Sequence, residues 1–280
     1  MTDTAIHVCN HRAMATLFQV RIAGEEKQYA AQAAQAAFGV VDHLEGLLSR
    51  FRENSEISRI AHLAAGETWR LAEPVFACLE CARRMESATR GAFSISAAAL
   101  RTQAVTPRWS LDRASLSIRC ENGRLEFDLG AIGKGFALDR MAEELAEWSC
   151  ASFLLVAGGS SILASAAPGT LPGWSVGLGD DNAEPRYWLT NASLSGSGIA
   201  VKGEHILDPR TGAPARQRSR AWALASTAAE SDALSTACMV LSETEIADVV
   251  GWSTEWKVFL NADGNWRHHG GRATPPLAVG

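Results

Sequence analysis

The stretch Ser231-Asp232-Ala233-Leu234-Ser235-Thr236-Ala237 lies inside an apolar run that extends from residue 228 to residue 241. The run opens with Thr227-Ala228-Ala229-Glu230, where a hydroxyl residue precedes Glu by three positions, and this capping-box pattern predicts a helix start. Asp232 and Thr236 are four residues apart and therefore share one helical face, where they offer two hard oxygens to a cation such as Mg²⁺. On the helix alone, a structural pair is the more common interpretation, with Asp favoured by the helix dipole and Thr bonded to its own backbone.

The composition describes an ordinary globular protein. The chain has 280 residues with 47% hydrophobic and 20% charged side chains, and we predict one domain spanning residues 1–280. The net charge of -5 gives no electrostatic reason to expect nucleic-acid binding. No window is long enough to span a bilayer, and residues 1–12 lack the apolar segment of a signal peptide or lipoprotein leader. A cytoplasmic protein without a membrane segment is therefore expected.

Six cysteines are present, and Cys78-Leu79-Glu80-Cys81 has the spacing of a CxxC motif. The motif lies inside a predicted helix and no second pair follows, although zinc sites usually need one or histidines at set spacing. Buried, reduced thiols are therefore favoured over a redox or metal site.

Periodicity divides the rest of the chain into helices and strands. Helices are predicted at residues 25–50, 73–90, 135–148, 228–241 and 243–250, and a shorter helix begins with residues 55–60 and ends at Gly66. Strands are predicted at residues 14–23, 69–71, 115–120, 124–128, 152–156, 161–165, 174–178, 186–189, 198–201, 220–225 and 257–260. Asn122-Gly123 predicts a hairpin between two of these strands, and Asp263-Gly264 predicts a turn. Long helices beside hairpin-linked strands indicate an α+β protein with mainly antiparallel sheet.

The stretch Asp128-Leu129-Gly130-Ala131-Ile132-Gly133-Lys134-Gly135 is predicted to be a strand end, a glycine-rich turn and the start of a helix. Glycines let the backbone approach a ligand, exposed amides at a helix N-terminus suit phosphate, and Lys134 adds a positive charge. The spacing matches neither of the common nucleotide-binding fingerprints. A plain turn and a phosphate loop are equally compatible with it.

Two later segments also carry candidate chemistry. Gly158-Gly159 joins two predicted strands and is either a hairpin turn or a place where a ligand comes close. In the segment from His205 to Pro214, Asp208 follows His205 by three positions, and such a carboxylate can orient a histidine that acts as a general base. A lone histidine is more often structural. Ser195-Gly196-Ser197-Gly198 is predicted to be a flexible loop before this segment.

The order of these motifs resembles the ApbE family of FAD:protein FMN transferases. The most specific parts are His205-Ile206-Leu207-Asp208-Pro209-Arg210-Thr211-Gly212-Ala213-Pro214 and Asp232-Ala233-Leu234-Ser235-Thr236-Ala237. The earlier segments Met14-Ala15-Thr16 and Gly91-Ala92-Phe93 are similar to N-terminal signposts of that family. The resemblance covers nearly the whole chain, in order, and it implies a T-fold-like α+β architecture.

The resemblance also implies a ligand set. The metal, Mg²⁺, is expected at Asp232, Thr236 and the backbone carbonyl of Ala131. The residues expected to contact FAD are Met14, Phe51, Ala92, Phe93, Ser94, Asp128, Lys134, Gly158, Gly159, His205 and Ile206. Phe51 stands where an aromatic ring packs near the flavin, and Ser94 replaces the Asp that is usual in the family. The region from residue 100 to residue 128 is shorter than its family counterpart.

The implied reaction is a Mg²⁺-dependent transfer of FMN from FAD to a Thr or Ser hydroxyl of an acceptor flavoprotein, with release of AMP. His205 is the candidate group that deprotonates the hydroxyl, and Asp208 is its candidate orienting partner. Water in place of the hydroxyl would make the protein an FAD pyrophosphatase. A relative that keeps the fold without turnover would be a non-catalytic FAD-binding protein.

Overall fold

The computed structural model describes residues 4–97, 99, 107–178, 186–198, 206–262 and 265–271. Its helices are α1 (Lys27–Leu48), α2 (Glu56–Ile60), α3 (Glu73–Ala88), α4 (Gly133–Glu147), α5 (Ala228–Ala237) and α6 (Glu243–Val250). Its strands are β1 (Ile6–Ala13), β2 (Thr16–Ala23), β3 (Thr68–Arg70), β4 (Arg108–Asp112), β5 (Ser117–Asn122), β6 (Ser152–Ala157), β7 (Ser161–Ala164), β8 (Trp174–Gly177), β9 (Arg186–Leu189), β10 (Ala192–Gly198), β11 (Arg220–Ala225), β12 (Lys257–Ala262) and β13 (Asn265–His269).

The largest sheet has eight strands in the order β1-β2-β6-β7-β10-β11-β12-β13, and every neighbouring pair is antiparallel. Two units of similar connectivity build it. In the first, the pair β1–β2 is followed by helices and then by β6–β7; in the second, β10–β11 is followed by α5 and α6 and then by β12–β13. The units join where β7 pairs with β10, with Ser161 opposite Ser195. The predicted α+β class with mainly antiparallel sheet is confirmed.

The two faces of this sheet have different covers because side chains alternate along each strand. On β11, Ala221, Ala223 and Ala225 belong to the main core, which also contains the buried faces of α1, α3, α4 and α5. Trp222 points the other way, into a second cluster with Trp174 of the β8–β9 hairpin. The helices therefore cover one face and the hairpin covers part of the other.

The Asn122-Gly123 hairpin prediction is wrong. Residues 124–128 form no strand, and β5 instead pairs with β3 and β4 in a separate three-stranded sheet. The tight connection to β5 is built by Asp112, whose carboxylate accepts from the Ala114 N–H at 3.0 Å and from the Ser115 hydroxyl at 2.5 Å. The Asn122 side chain accepts from the Arg108 N–H at 2.8 Å and so closes the ladder rather than forming a hairpin turn.

The predicted loop Ser195-Gly196-Ser197-Gly198 is also wrong, because it is the second half of β10. The position within the strand requires glycine, because a Cβ atom on Gly196 would be only 2.7 Å from the Trp222 ring on β11. The predicted strand at residues 198–201 and the turn at Asp263-Gly264 lie mainly or wholly outside the described residues. Strands β1, β4 and β13 were not predicted.

Cys78 and Cys81 both lie on α3 and form no disulfide, and Cys78 is buried. Burial raises the pKa of Cys81 to about 11 and that of Cys78 further still, so both thiols are protonated at neutral pH. Within the described ranges, no group of three or more His, Cys, Asp or Glu side chains is arranged to hold a metal ion. Over the same ranges, no helix has both the length and the apolar character that crossing a membrane requires.

Candidate active site

The helix that carries Asp232 begins where the sequence predicts. Thr227 is the N-cap of α5, and its side chain accepts from the Glu230 N–H at 3.3 Å. The Glu230 carboxylate does not return to the cap as a capping box would have it. It pairs with Arg84 of α3 at 2.9 Å and accepts from the Trp256 indole at 3.4 Å. Thr227 therefore caps the helix by itself, while Glu230 connects α5 to α3 and to Trp256.

Asp232 is a buried carboxylate, 4% exposed, that three groups from α4 and β7 approach. The Gly135 N–H of α4 donates to Oδ2 at 2.8 Å, and the Ser161 hydroxyl of β7 donates to Oδ1 at 2.6 Å. The Lys134 ammonium is 3.6 Å from Oδ2. Such a charge is costly to bury unless hydrogen bonds and an opposite charge accompany it, and both are present here.

The glycine-rich loop reaches the same place through the N-terminus of α4. Lys134 Nζ lies 3.5 Å from the Gly130 carbonyl oxygen as well as close to Asp232, so its ammonium bridges the loop and α5. Ala131 is partly buried against the main core at the next position of that loop. A Cβ atom on Gly135 would lie 2.0 Å from the Ala228 carbonyl oxygen. Only glycine therefore allows α4 and α5 to come this close.

Thr236 faces a cluster of hydroxyl groups between α5 and the sheet. It donates to the Asp232 carbonyl oxygen at 3.2 Å, and the Ser197 hydroxyl is 3.0 Å from its own. The other hydroxyl pairs of this interface are Ser193 with Ser231, Ser195 with Ser231, and Ser197 with Ser235. The bond from Thr236 to the backbone of its own helix is the structural role that such a residue commonly has. The Thr236 hydroxyl oxygen still keeps a lone pair for another partner.

These serines were missed by motif reasoning. Ser193, Ser195 and Ser197 alternate along β10, so their side chains share one face of the strand. Ser231 and Ser235 are four apart on α5 and meet them. The two periodicities are visible in the sequence, but only the pairing of α5 with β10 shows that they belong together.

Predicted ligand residues also gather at the sheet end nearest Ser161. Met14 forms the β1–β2 turn with a φ of 49°, and Gly158 lies beside it, donating its N–H to the Leu17 carbonyl at 2.9 Å. A Cβ on Gly158 would lie 2.5 Å from the Thr16 hydroxyl oxygen, whereas Gly159 has open space around it. Gly158 is therefore a close-packing position, and Gly159 leaves room on the β6–β7 turn.

Asp128 and Phe51 are connected through Arg50. The Arg50 guanidinium is 3.3 Å from the Asp128 carboxylate, and its Cζ is 4.8 Å from the centroid of the Phe51 ring. Phe51 is 84% exposed, the largest exposure among the large apolar side chains of the described chain. The Gly130 N–H donates to Asp128 at 2.9 Å, so this group borders the glycine-rich loop.

The segment Ala92-Phe93-Ser94 lies beside Asp128, but two of its side chains are in the core. Ala92 and Phe93 are each 2% exposed. The adjoining Ile95 carbonyl accepts from the Asp128 N–H at 2.8 Å, which fixes the segment next to the loop. Ser94 is partly exposed and accepts from the Ser96 N–H at 3.2 Å. Buried side chains leave only the backbone of this turn and Ser94 to meet a ligand.

His205 lies outside the described residues, whereas the turn that follows it is described. Ile206 is 8% exposed, and its carbonyl accepts from the Ala215 N–H at 2.8 Å. Asp208 accepts from the Arg210 backbone N–H and guanidinium at 2.8 to 2.9 Å. Partial burial alone would raise the pKa of Asp208, but the hydrogen bonds and charge of Arg210 lower it overall. Arg210 also pairs with Glu245 at 2.6 Å, which anchors the turn to α6.

The oxygens at the site suit a hard divalent cation. A carboxylate, a hydroxyl and backbone carbonyls are the ligand types that Mg²⁺ prefers, and usually one or two carboxylates suffice when a substrate phosphate completes the shell. Asp232 accepts one hydrogen bond on each oxygen and keeps further lone pairs. The donor set therefore fits the expected ion.

Fold and site together define a two-unit antiparallel α+β protein with a polar site where α4, α5 and β7 meet. The sequence model of the ApbE family matches residues 14–260, and the chain belongs to that family. The resemblance seen in the motifs is thus confirmed, and with it the prediction that the chain is an enzyme of this family.

Several named proteins are similar to this chain in sequence or in structure. An FAD:protein FMN transferase of Klebsiella pneumoniae is 25% identical, the match covering 65% of this chain and 66% of the relative. A second from the same species is 22% identical, with 87% and 81% covered. The apo crystal structure of the flavinyl transferase ApbE from Pseudomonas stutzeri has a TM-score of 0.79 at 18% identity, covering 95% of this chain and 94% of that one. The last match shows the shared fold and confirms the architecture that the resemblance implied.

Proposed function

We propose that the protein transfers FMN from FAD to a Thr or Ser hydroxyl of an acceptor flavoprotein in a Mg²⁺-dependent reaction that releases AMP. Family membership supports the reaction class. The observation that carries the assignment in this chain is Asp232, a buried carboxylate at the N-terminus of α4 with the Lys134 ammonium 3.6 Å away. Cationic and anionic groups meeting at a glycine-rich helix N-terminus suit a diphosphate with its metal.

Asp232, Thr236 and the Ala131 carbonyl are the proposed metal ligands. Mg²⁺ bound there supplies charge neutralisation for the diphosphate and polarises its bridging P–O bond. The protein itself keeps Asp232 in place through Gly135 and Ser161. The Lys134 ammonium is available to move from the carboxylate to a phosphate oxygen, because its side chain is 24% exposed and long.

The proposed chemical step is a displacement at phosphorus. The acceptor hydroxyl oxygen bonds to the phosphorus on the FMN side while the P–O bond to AMP breaks. AMP leaves with the electron pair of that bond, and the hydroxyl proton passes to His205 as the proposed base. Asp208 supports His205 by fixing the turn after it, because Arg210 and the backbone of residues 211–213 hold that turn closed.

The flavin itself is proposed to lie along the exposed side of the site. Phe51 and Asp128 border the glycine-rich loop, and Met14 with Gly158 and Gly159 lies at the sheet end near Ser161. Ser94, Ile206 and the backbone of Ala92 and Phe93 complete the proposed FAD contacts. Open space at Gly159 and the exposure of the Phe51 ring allow both to accept an aromatic ligand.

The test is incubation with FAD, Mg²⁺ and an acceptor flavoprotein that carries a Thr/Ser flavinylation motif, followed by mass spectrometry and AMP analysis. We expect one FMN adduct on the acceptor for each AMP released. The Asp232→Ala variant should lower AMP release at least about 100-fold, because it removes the one charged ligand of the proposed metal. Asp248→Ala removes a surface carboxylate that pairs with Arg90 and serves as the matched control. Unchanged AMP release in Asp232→Ala would refute the metal assignment.

The other outcomes identify the two alternatives. AMP release without an adduct indicates an FAD pyrophosphatase, in which water replaces the acceptor hydroxyl. FAD binding without AMP release in the presence of Mg²⁺ indicates a non-catalytic FAD-binding protein.

A further inference from the structure

A second carboxylate, Asp139, joins the two helices of the site from the opposite direction. Asp139 lies on α4, one turn after Gly135, and its two oxygens accept from the N–H groups of Ala228 at 2.7 Å and Ala229 at 2.9 Å. These are the first residues of α5, whose amides have no partner within their own helix. A carboxylate there also complements the positive end of the helix dipole.

The contact is reciprocal. Gly135 at the N-terminus of α4 donates its N–H to Asp232 of α5, while Asp139 of α4 accepts from the N-terminus of α5. Between these two links, the backbone of Gly135 lies directly against the Ala228 carbonyl, with no room for a Cβ atom. Each helix thus supplies a carboxylate to the amides of the other across a close backbone contact.

The chemistry of the Asp139 carboxylate fits the capping of two amides better than it fits packing alone. Partial burial raises the pKa of Asp139 to about 7, with the nearby Asp232 and Glu143 adding to the shift, and the two N–H donors offset only part of it. A carboxylate provides two acceptor oxygens for two adjacent N–H groups, whereas an amide side chain provides one. The residue type therefore matches the two amides that α5 presents.

We propose that Asp139 is a positioning residue, which fixes the start of α5 against α4 and thereby holds Asp232 at the Gly135 amide. Its carboxylate bonds to the Ala228 and Ala229 amides, so its effect reaches the site through the backbone of residues 228–232. The inference deepens the proposed function, but its first measurement depends only on the fold.

The direct readout is hydrogen exchange of the Gly135 amide, followed by NMR on the full chain. This N–H lies in the first turn of α4, where amides lack helical partners, and it donates to Asp232. Its protection therefore reports whether Asp232 stays in place. In Asp139→Ala we expect the Gly135 amide to exchange at least about tenfold faster, because its charge-assisted hydrogen bond to Asp232 would be weakened. Asp139→Asn keeps one acceptor and should show a smaller acceleration in the same direction.

Thr227→Ala is the matched control. It weakens the start of α5 by removing the bond from Thr227 to the Glu230 N–H but leaves Asp139 and both α4 links intact. We expect it to accelerate exchange at Glu230 while Gly135 stays protected. Thermal melts of all variants establish that each one is folded under the conditions of exchange.

Three results would overturn the inference: Gly135 protection unchanged in folded Asp139→Ala and Asp139→Asn, acceleration spread evenly over α4, or the same Gly135 effect in Thr227→Ala. As a second measurement, Mn²⁺ titrated in place of Mg²⁺ should bind Asp139→Asn several-fold more weakly than the parent chain. Failure of the proposed transferase reaction leaves the exchange result standing, so the two proposals are separable.

Discussion

Helices α5 and α6 follow each other in the same unit of the sheet, yet the chain specifies them in different ways. Helix α6 is defined by its own residues: Ser242 and Glu245 form a complete capping box, and one face buries Ile246, Val249 and Val250. Helix α5 buries three polar side chains, Ser231, Asp232 and Ser235, beside its alanines and Leu234. Its N-terminus is held by Asp139 of α4, and its C-terminus by the guanidinium of Arg218.

The difference shows where a functional helix obtains its stability. Polar side chains that serve a site contribute little hydrophobic free energy, so the helix that carries them must be fixed by partners elsewhere in the chain. Because α5 depends on long-range polar contacts, single substitutions remote from it in sequence should affect it strongly. Helix α6, which depends on local signals, should respond only in modest and local ways.

The largest effect is expected at the contact between α4 and α5. Gly135→Ala places a methyl group 2.0 Å from the Ala228 carbonyl oxygen, and the two backbones must separate to admit it. We expect a loss of about 3 kcal/mol or more in the free energy of unfolding, measured by urea denaturation. Gly133→Ala is the control, because its new Cβ would meet Leu129 at 3.6 Å, an ordinary contact, and alanine favours the helix by about 1 kcal/mol. Equal stability of the two variants would contradict the close-contact argument.

The next effect concerns the C-terminus of α5. Arg218 is 8% exposed and donates to the carbonyls of Cys238 and Leu241, the latter at 2.8 Å. Arg218→Ala leaves both carbonyls without this donor in a buried place, and we expect a loss of about 2 kcal/mol by the same measurement. Arg267→Ala removes an exposed arginine that pairs with Glu243 on the surface and should change stability by less than about 0.5 kcal/mol. A small effect at Arg218 would show that water replaces its hydrogen bonds.

A smaller effect is expected in α6. Ser242→Ala removes the side chain that accepts from the Glu245 N–H at 3.3 Å and the hydroxyl that bonds to Glu245. The expected loss is about 1 kcal/mol, the usual cost of deleting an N-cap serine. Ser242→Asp keeps a capping acceptor and should recover part of the loss. A loss as large as that of Arg218→Ala would remove the distinction between the two helices.

The sequence predicts elements well wherever neighbouring residues determine them. The starts of α5 and α6 and nearly the full length of α1 follow from caps and helical periodicity. Strand β1 was missed because its residues alternate between exposed and partly buried positions, with an outer face that contains polar as well as apolar side chains. The Asn122-Gly123 hairpin prediction is wrong because β5 pairs with β4, the strand before it, through the turn that Asp112 stabilises.

The site follows the same division. Asp232, Lys134 and the glycine-rich loop were predicted, and the structure brings them together. Ser161 and Asp139 were not predicted. Ser161 bonds to a residue 71 positions away and Asp139 to one 89 positions away, and no local pattern marks a residue that holds such a distant partner. Motifs identify the groups that meet a ligand, whereas the groups that position them emerge from the pairing of elements.

The smallest expected effect is on pH dependence, where the two helices should have opposite signs. Hydrogen bonds from Ser242 and Arg210 lower the pKa of Glu245 to about 2, so its contribution is complete above its usual 4.5 and is lost as pH falls toward 2. Asp139 has its pKa raised to about 7 from 3.8, so the native state retains a proton that the unfolded chain releases, and stability decreases as pH rises between these values.

Thermal melts at pH 3, 5 and 8 distinguish the two signs. Relative to the parent chain, Glu245→Gln should be most destabilised at pH 5 and 8 and least at pH 3, by a small amount since the Glu245 side chain is 37% exposed. Asp139→Asn should instead be more destabilised at pH 5 than at pH 8, because the ionised parent is itself less stable at the higher pH. Parallel pH profiles for the two variants would mean that Asp139, like Glu245, is stabilised in its ionised form by the amides that it caps. The carboxylate would then act on α5 mainly through the helix dipole, and burial would have no net effect on its titration.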